Sequence, residues 1–501
     1  MGGKVFLVGA GPGDIELLTL KGAALLKTAD VVVYDYLVAE ELLDLAPQSQ
    51  KIYVGKSASH HTFTQEKINE LIVKLGQDGK RVVRLKGGDP YIFGRGGEEA
   101  EALAEAGVPF EVVPGISSTV AAAAYAGIPL THRDFAAQVG IMTGHERADK
   151  PFSSLDWEAL AKMGTLVAVM GSAQLPHICQ KLREAGKAGD TPAALVEWGT
   201  TYRQRVIVAT LLTLPEKARM QGFQAPSLLV VGKVVTLQGK LSWFEKRPLW
   251  GKRILVTRTR EQAGELSQAL KELGANVVTK PVIQVTPIDP NPRLDEALHK
   301  IKSFNYLILT SPNGGNIFRN YLFQYGYDAR NLAGLKIAVM GPGTLASLNA
   351  LGINPDIVPV KYQAENLLEE MLLWPPGKVL LVRAKKCRDV LPVGLKKKGF
   401  RVTEIPLYET QVGETCPAKP FLEIGRFDLI TLTSSSTARG LATLIRKNQR
   451  KKYNVASIGP ITSQTAEQLG FHVAVESQVA TIQGLVEAIQ SYLNIINFER
   501  I

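Results

Sequence analysis

The stretch Arg84-Leu85-Lys86-Gly87-Gly88-Asp89-Pro90-Tyr91-Ile92-Phe93-Gly94-Arg95-Gly96-Gly97-Glu98-Glu99 decides the reading of the first half of the chain. It leaves the strand Arg81-Val82-Val83-Arg84-Leu85 and enters the helical pattern Glu98-Glu99-Ala100-Glu101-Ala102-Leu103. Five glycines and a proline between strand and helix let the backbone come very close to a ligand. The acid at Asp89 and the helix N-terminus behind it add polar groups in fixed places. A bare turn explains a glycine pair but not an ordered run of this length.

Outward from this loop the same strand–turn–helix grammar recurs. Lys4-Val5-Phe6-Leu7-Val8 predicts a first strand, then Gly9-Ala10-Gly11-Pro12-Gly13-Asp14 and a helical run from Leu17 to Leu26. A dinucleotide fingerprint is the obvious comparison, and Asp35, ending Val31-Val32-Val33-Tyr34, stands where a ribose-binding acid belongs. Against it, the third glycine comes one place early and Pro12 removes a backbone N–H from the phosphate cradle. Val112-Val113-Pro114-Gly115 reads as a linker. It is followed by a small-residue helix over Ser117–Gly127 with a serine-rich start, then His132 and Arg133. Later strands are predicted at Leu166–Gly171, Ala194–Gly199 and Leu228–Gly232.

Taken together, these motifs resemble the tetrapyrrole methylase family, uroporphyrinogen-III C-methyltransferases in particular, from about Lys4 to Phe244. The resemblance implies S-adenosyl-methionine as cofactor, held by Pro12, Gly87, Gly88, Asp89, Ile92, Ser117, Ser118, Met170, Gly199 and Ala225. It implies Asp35 as general base and Lys56 as general acid, with Arg133 suited to substrate carboxylates. The implied reaction is methylation of uroporphyrinogen III at carbons 2 and 7, giving precorrin-2. A dehydrogenase–ferrochelatase module is not expected ahead of Lys4.

After Ser242–Gly251, read as a connection, the chain repeats itself. Ile254-Leu255-Val256-Thr257-Arg258 recurs as Val379-Leu380-Leu381-Val382-Arg383, and the same offset relates Gly274 to Gly399 and Pro281 to Pro406. Leu307–Ser311 pairs with Ile430–Ser434, and Ala338–Pro342 with Ala456–Pro460. Two α/β lobes are expected, each with hydroxyl residues at strand-to-helix turns: Ser311, Thr344, Ser434, Ser435 and Thr462. One such residue is a helix cap; several on a duplicated frame fit a polyanionic ligand. This half resembles uroporphyrinogen-III synthase from Gly251 to about Ile489. The resemblance implies cyclisation of hydroxymethylbilane, with Tyr408 assisting loss of the substrate hydroxyl and with Thr462 and Ser434–Ser436 at turns that hold its carboxylates.

The expected organisation is an α/β two-domain methylase over 1–245, in lobes of about 1–114 and 115–245, and a synthase over 251–498. In the latter, one lobe takes about 251–284 plus 412–498 and the other about 288–408. The 501 residues exceed one hydrophobic core and 45% apolar content suits a globular enzyme. Cys179, Cys387 and Cys416 lie far apart, which argues against a disulfide framework or a metal site and for a reducing compartment. No apolar run approaches the ~18 residues of a membrane helix, and the start Met1–Val8 is too short for a secretory signal. A cytoplasmic enzyme follows, with tetrapyrroles rather than nucleic acid or membrane as partners. The net charge of +11 suits a substrate rich in carboxylates. Family resemblance implies a homodimer through the methylase half. The rival readings are a methylase with a non-catalytic, tetrapyrrole-binding second half, and a tetrapyrrole- or nucleic-acid-binding regulator.

Overall fold

Five strands build the first sheet: β1 (Lys4–Gly9), β2 (Val31–Tyr34), β3 (Gln50–Tyr53), β4 (Arg81–Lys86) and β5 (Phe110–Val113). They pair in parallel in the order β3-β2-β4-β1-β5. Parallel strands are covered on both faces, which is why β1 and β2 read as continuous apolar runs. Phe6, Val8, Val32 and Leu85 pack with Leu25 and Leu26 on one face. Val5, Leu7, Val31 and Val33 meet Ile68, Ile72 and Leu103 on the other. The computed structural model describes residues 3–55, 63–144, 155–258, 260–411 and 427–498, without the side chains of 260–262 and 495–498. It divides into two compact units, Met1–Trp250 and Gly251–Ile501.

Two local expectations are corrected. The helical run predicted from Leu17 is a 3-10 turn over Ile15–Leu17 followed by a helix over Leu20–Lys27. The break falls where Thr19 caps the helix, its hydroxyl accepting from the N–H of Gly22 at 3.1 Å. Val112-Val113, read as linker, completes β5 and pairs with Leu7 and Val8, as two β-branched residues beside an apolar strand favour.

The second sheet of this unit contains β6 (Val139–Thr143), β7 (Thr165–Val169), β8 (Pro192–Glu197), β9 (Arg205–Thr210) and β10 (Ser227–Gly232). Its order is β6-β7-β10-β8-β9, parallel between β6 and β7 and antiparallel elsewhere. Leu228 pairs with Val169 and Ser227 with Glu197. Residues just after β7, just after β8 and just before β10 therefore share one end of the sheet. The helix Ser118–Tyr125 packs its alanines there, Ala122 and Ala123 meeting Val169, Val196 and Leu228.

In the second unit, β11 (Arg253–Val256), β12 (Asn276–Thr279), β18 (Leu429–Leu432), β19 (Asn454–Ser457) and β20 (His472–Glu476) form a parallel sheet, order β12-β11-β18-β19-β20. The other sheet contains β13 (Gln284–Pro287), β14 (Tyr306–Leu309), β15 (Lys336–Val339), β16 (Lys378–Ala384) and β17 (Arg401–Gln411), order β13-β17-β16-β14-β15, with β13 antiparallel. The sequence repeat maps onto equal positions. β12-β11-β18-β19 stand in one sheet as β17-β16-β14-β15 do in the other, although chain order differs between them. Among the described residues no helix is long and apolar enough to cross a membrane.

Close backbone packing is the sharpest constraint on the first unit. A Cβ on Gly115 would stand 2.3 Å from the carbonyl oxygen of Gly88 and 2.6 Å from Cα of Gly9. Gly115→Ala is expected to lower the thermal midpoint of the methylase-like unit by several degrees, because only backbone could give way. A midpoint equal to the parent protein's would contradict this packing.

Candidate functional site

The loops after β1 and β4 lie side by side: the N–H of Gly11 donates to Gly88 O at 3.2 Å, and that of Gly88 to Gly11 O at 2.7 Å. Pro12 is thereby set beside Gly87 and Gly88. Gly88, at φ +68°, faces the start of the next helix, a Cβ there lying 3.7 Å from the backbone N of Ser118. Asp89 closes the loop: Oδ1 accepts from the N–H of Tyr91 (2.8 Å) and Ile92 (3.1 Å), and Oδ2 from the N–H of Gly115 (2.9 Å). Ser117 caps the helix, accepting from the N–H of Thr119 at 3.3 Å.

The second sheet supplies the facing residues. Gly199 abuts Ala122, whose Cβ would lie 2.3 Å from a side chain there. Met170 and Ala225 stand at the same sheet end, where the N–H of Trp198 donates to Pro226 O at 3.0 Å. Met170 (φ 55°), Trp198 (φ 48°) and Thr200 (φ 68°) all adopt left-handed backbone, which costs a non-glycine residue of order 1–3 kcal/mol and clusters at functional sites. Met170 is half exposed, so it is not core filler. A polar string joins the two sheets: the N–H of Asp14 donates to Thr200 Oγ1 (3.2 Å), and the Tyr125 hydroxyl donates to Asp14 Oδ2 (2.8 Å). Burial and then the Asp14 carboxylate push the Tyr125 phenol pKa up.

Beside this wall, Asp35 follows β2 and is bound by Arg84, Nη2 to Oδ2 at 3.3 Å. Arg84 and Lys86 are buried with Glu99. Burial, then Arg84, pull the Lys86 ammonium below its usual pKa. Lys56 lies outside the described residues. Arg133 is exposed on the loop past the helix, next to His132, which stacks on Phe135.

In the second unit Ser311 caps the helix Pro312–Gln324, accepting from the N–H of Gly314 at 3.0 Å, and shares a hydrogen bond of 2.8 Å with the Tyr408 hydroxyl. Burial raises the Tyr408 phenol pKa, Ser311 opposes the rise and nearby Cys387 adds to it. The Thr344 turn adjoins Ser311, a Cβ on Gly343 coming 2.9 Å from the Pro312 ring. On the other sheet, Ser434 caps the helix Ser435–Leu444, and Ser435 Oγ accepts from Thr465 Oγ1 at 2.9 Å beside the Thr462 turn. Thr344 and Thr462 are 2% and 5% exposed, so a ligand at these turns meets backbone N–H groups rather than the two hydroxyls expected from sequence.

The model of the tetrapyrrole (corrin/porphyrin) methylases matches residues 4–215, and that of uroporphyrinogen-III synthase HemD matches residues 264–487. A porphyrin biosynthesis protein HemD of Ruminiclostridium josui is 40% identical over 97% of this chain and 97% of its own. The chain belongs to both families, joined in one polypeptide. Its methylase half is 54% identical to part of a siroheme synthase of Azotobacter vinelandii, over 49% of this chain and 53% of that protein, so the match spans about half of that relative's length. A crystal structure of uroporphyrin-III C-methyl transferase from Thermus thermophilus, complexed with S-adenyl homocysteine, is 41% identical over 47% of this chain and all of that one, TM-score 0.41.

Sequence reasoning missed two features of the methylase half. The string Thr200–Asp14–Tyr125 joins residues far apart in the chain and carries no local signal. The buried charges do carry one: Arg84 and Lys86 alternate with apolar residues in a strand that is buried from Val82 onward. Tyr125→Phe removes the donor to Asp14 and is expected to destabilise the methylase half by about 1 kcal/mol in urea unfolding. An unchanged unfolding midpoint would show that this hydrogen bond does not hold the Pro12 turn.

Proposed function

We propose that the chain is a bifunctional tetrapyrrole enzyme that closes hydroxymethylbilane to uroporphyrinogen III and methylates the product at carbons 2 and 7, giving precorrin-2. The observation that carries this reading is Asp35, a partly exposed carboxylate held by Arg84 beside a glycine-lined wall. Gly9 and Gly115 leave no room for Cβ atoms, Gly88 takes a left-handed backbone at φ +68°, and the helix at Ser118 begins next to them, a cradle that fits an adenosyl ligand by its backbone. When bound there, S-adenosyl-methionine supplies an electrophilic methyl group.

The chain's own residues do the rest. Pro12, Gly87, Gly88, Ser117, Ser118, Gly199 and Ala225 form the wall, Met170 projects from the facing sheet, and Asp89 fixes the loop that includes Ile92. Fixing donor and acceptor in line accounts for roughly 7–11 kcal/mol of barrier in well-oriented reactions. Asp35 takes the proton that the methylated macrocycle must lose, and Lys56 serves as the acid. Arg133 meets substrate carboxylates.

In the synthase half, Tyr408 stays a neutral phenol through mildly alkaline pH because burial raises its pKa. It donates to the departing hydroxyl of hydroxymethylbilane while Ser311 orients it. The turns at Ser311, Thr344, Ser434, Ser435 and Thr462 hold the substrate's carboxylates by helix N-termini. Dimerisation through the methylase half and residence in the cytoplasm belong to the same reading.

Incubating the purified chain with hydroxymethylbilane and S-adenosyl-methionine should yield a precorrin-2-like chromophore; its absence with active control enzymes would sink the proposal. Asp35→Asn should slow methylation by about 10²–10⁴-fold and spare ring closure. Tyr408→Phe should slow ring closure and spare methylation of supplied uroporphyrinogen III, and equal rates of closure with and without the hydroxyl would remove Tyr408 from the mechanism.

A further inference from the structure

Arg84 and Lys86 leave the same face of β4, the middle strand of the first sheet, where apolar side chains are the rule. The helix Gly96–Glu105 covers that face and presents Glu99, which is 0% exposed. Glu99 Oε1 accepts from Lys86 Nζ (2.7 Å), Arg84 Nε (3.1 Å) and Gln65 Nε2 (3.3 Å), while Oε2 makes no hydrogen bond. One oxygen of the carboxylate thus takes all three donors.

Arg84 spans the distance from Glu99 to Asp35. Its Nε is fixed by Glu99, its Nη1 donates to Leu85 O (3.2 Å) and its Nη2 donates to Asp35 Oδ2 (3.3 Å). A guanidinium is a rigid planar fork, so holding Nε fixes the direction in which Nη2 points. Asp35 follows β2, the strand beside β4, with Val33 in register with Arg84. A buried ion network of this kind seldom stabilises a fold more than apolar residues of equal volume. Its members are buried except Asp35, whose side chain keeps 28% of its exposure.

We infer that Glu99 is a positioning residue for the methyl-transfer chemistry, aiming Arg84 so that the Asp35 carboxylate is held in one orientation toward the substrate. The inference rests on Asp35 as the proton acceptor. Glu99 touches no ligand; it acts through Arg84, and Lys86 balances the charge that Arg84 leaves over.

The test is a double-mutant cycle on the full chain, with methylation of uroporphyrinogen III as the rate and calorimetric binding of S-adenosyl-homocysteine as a control. Glu99→Gln should lower kcat by about ten- to a hundredfold, the scale of a misplaced catalytic group, with ligand affinity kept within about twofold. In an Asp35→Asn background the same change should cost nothing further. A further loss of equal size in that background makes Glu99 independent of Asp35 and overturns the inference, while leaving the base assignment standing. Full activity of Asp35→Asn alone removes the base and the inference together. Should Glu99→Gln fold poorly, Lys86→Met with Glu99→Met removes one buried charge of each sign, and its Arg84, released from Glu99, should show the same loss of kcat. Parental kcat in that double variant overturns the inference.

Discussion

Three backbones meet at Gly9, Gly88 and Gly115, with no space for a side chain on Gly9 or Gly115. This contact brings the ends of β1 and β4 against the chain that leaves β5, so the crossing to the second sheet starts at the proposed cofactor wall. Asp89 reinforces it from the side by accepting from Gly115 N–H as well as from its own loop. The helix Ser118–Tyr125 then follows with its N-terminus already aimed at the same place. The fold of this unit and the shape of its site are one constraint.

The second unit meets a similar demand by another route. The turns proposed to hold its substrate are built on helix caps rather than on glycine contact: Ser311 and Ser434 each cap a helix with their own hydroxyl. The equivalent turns at Gly341 and Gly459 use glycine as cap and proline at the first helical position. Each sheet therefore presents one hydroxyl cap and one glycine–proline cap at corresponding places. Duplication preserved the pair even though the chain visits the strands in a different order. Tyr408 breaks the symmetry, since it bonds Ser311 on one sheet alone.

What could be read beforehand followed from local chemistry. The glycine loop, the strand-end Asp35, the repeat and the capping serines are short patterns whose meaning does not depend on distant partners. Val112-Val113 was misread because proline and glycine just after it suggested a linker, while pairing with β1 decided the matter. β6 and β9 went unrecognised: they are edge strands of mixed composition, with Gly140 inside one and Arg205 opening the other. Left-handed backbone at Met170, Trp198 and Thr200 carries no sequence mark, because these residue types do not favour it. The burial of Thr344 and Thr462 was equally hidden, since a threonine early in a helix reads the same whether it faces solvent or core.

Charge separates the two sites more than shape does. In the methylase half the carboxylate of Asp89 is taken up by three backbone N–H groups, so its charge is spread into the loop. Asp35 is a carboxylate left partly exposed, and the buried Arg84 anchors it. On the proposed reading a positive sulfonium and an acidic macrocycle make opposite demands on one site, and an anchored carboxylate beside a neutral glycine surface serves the first without repelling the second broadly. In the synthase half no such compromise arises: the hydroxyl- and glycine-capped helix starts all favour negative charge, and the tyrosine among them is held neutral by burial. A buried cation pair answered by one carboxylate is then understandable in the first half, where the direction of Asp35 matters, and among the described residues has no counterpart at the capped turns of the second, where orientation comes from the backbone itself.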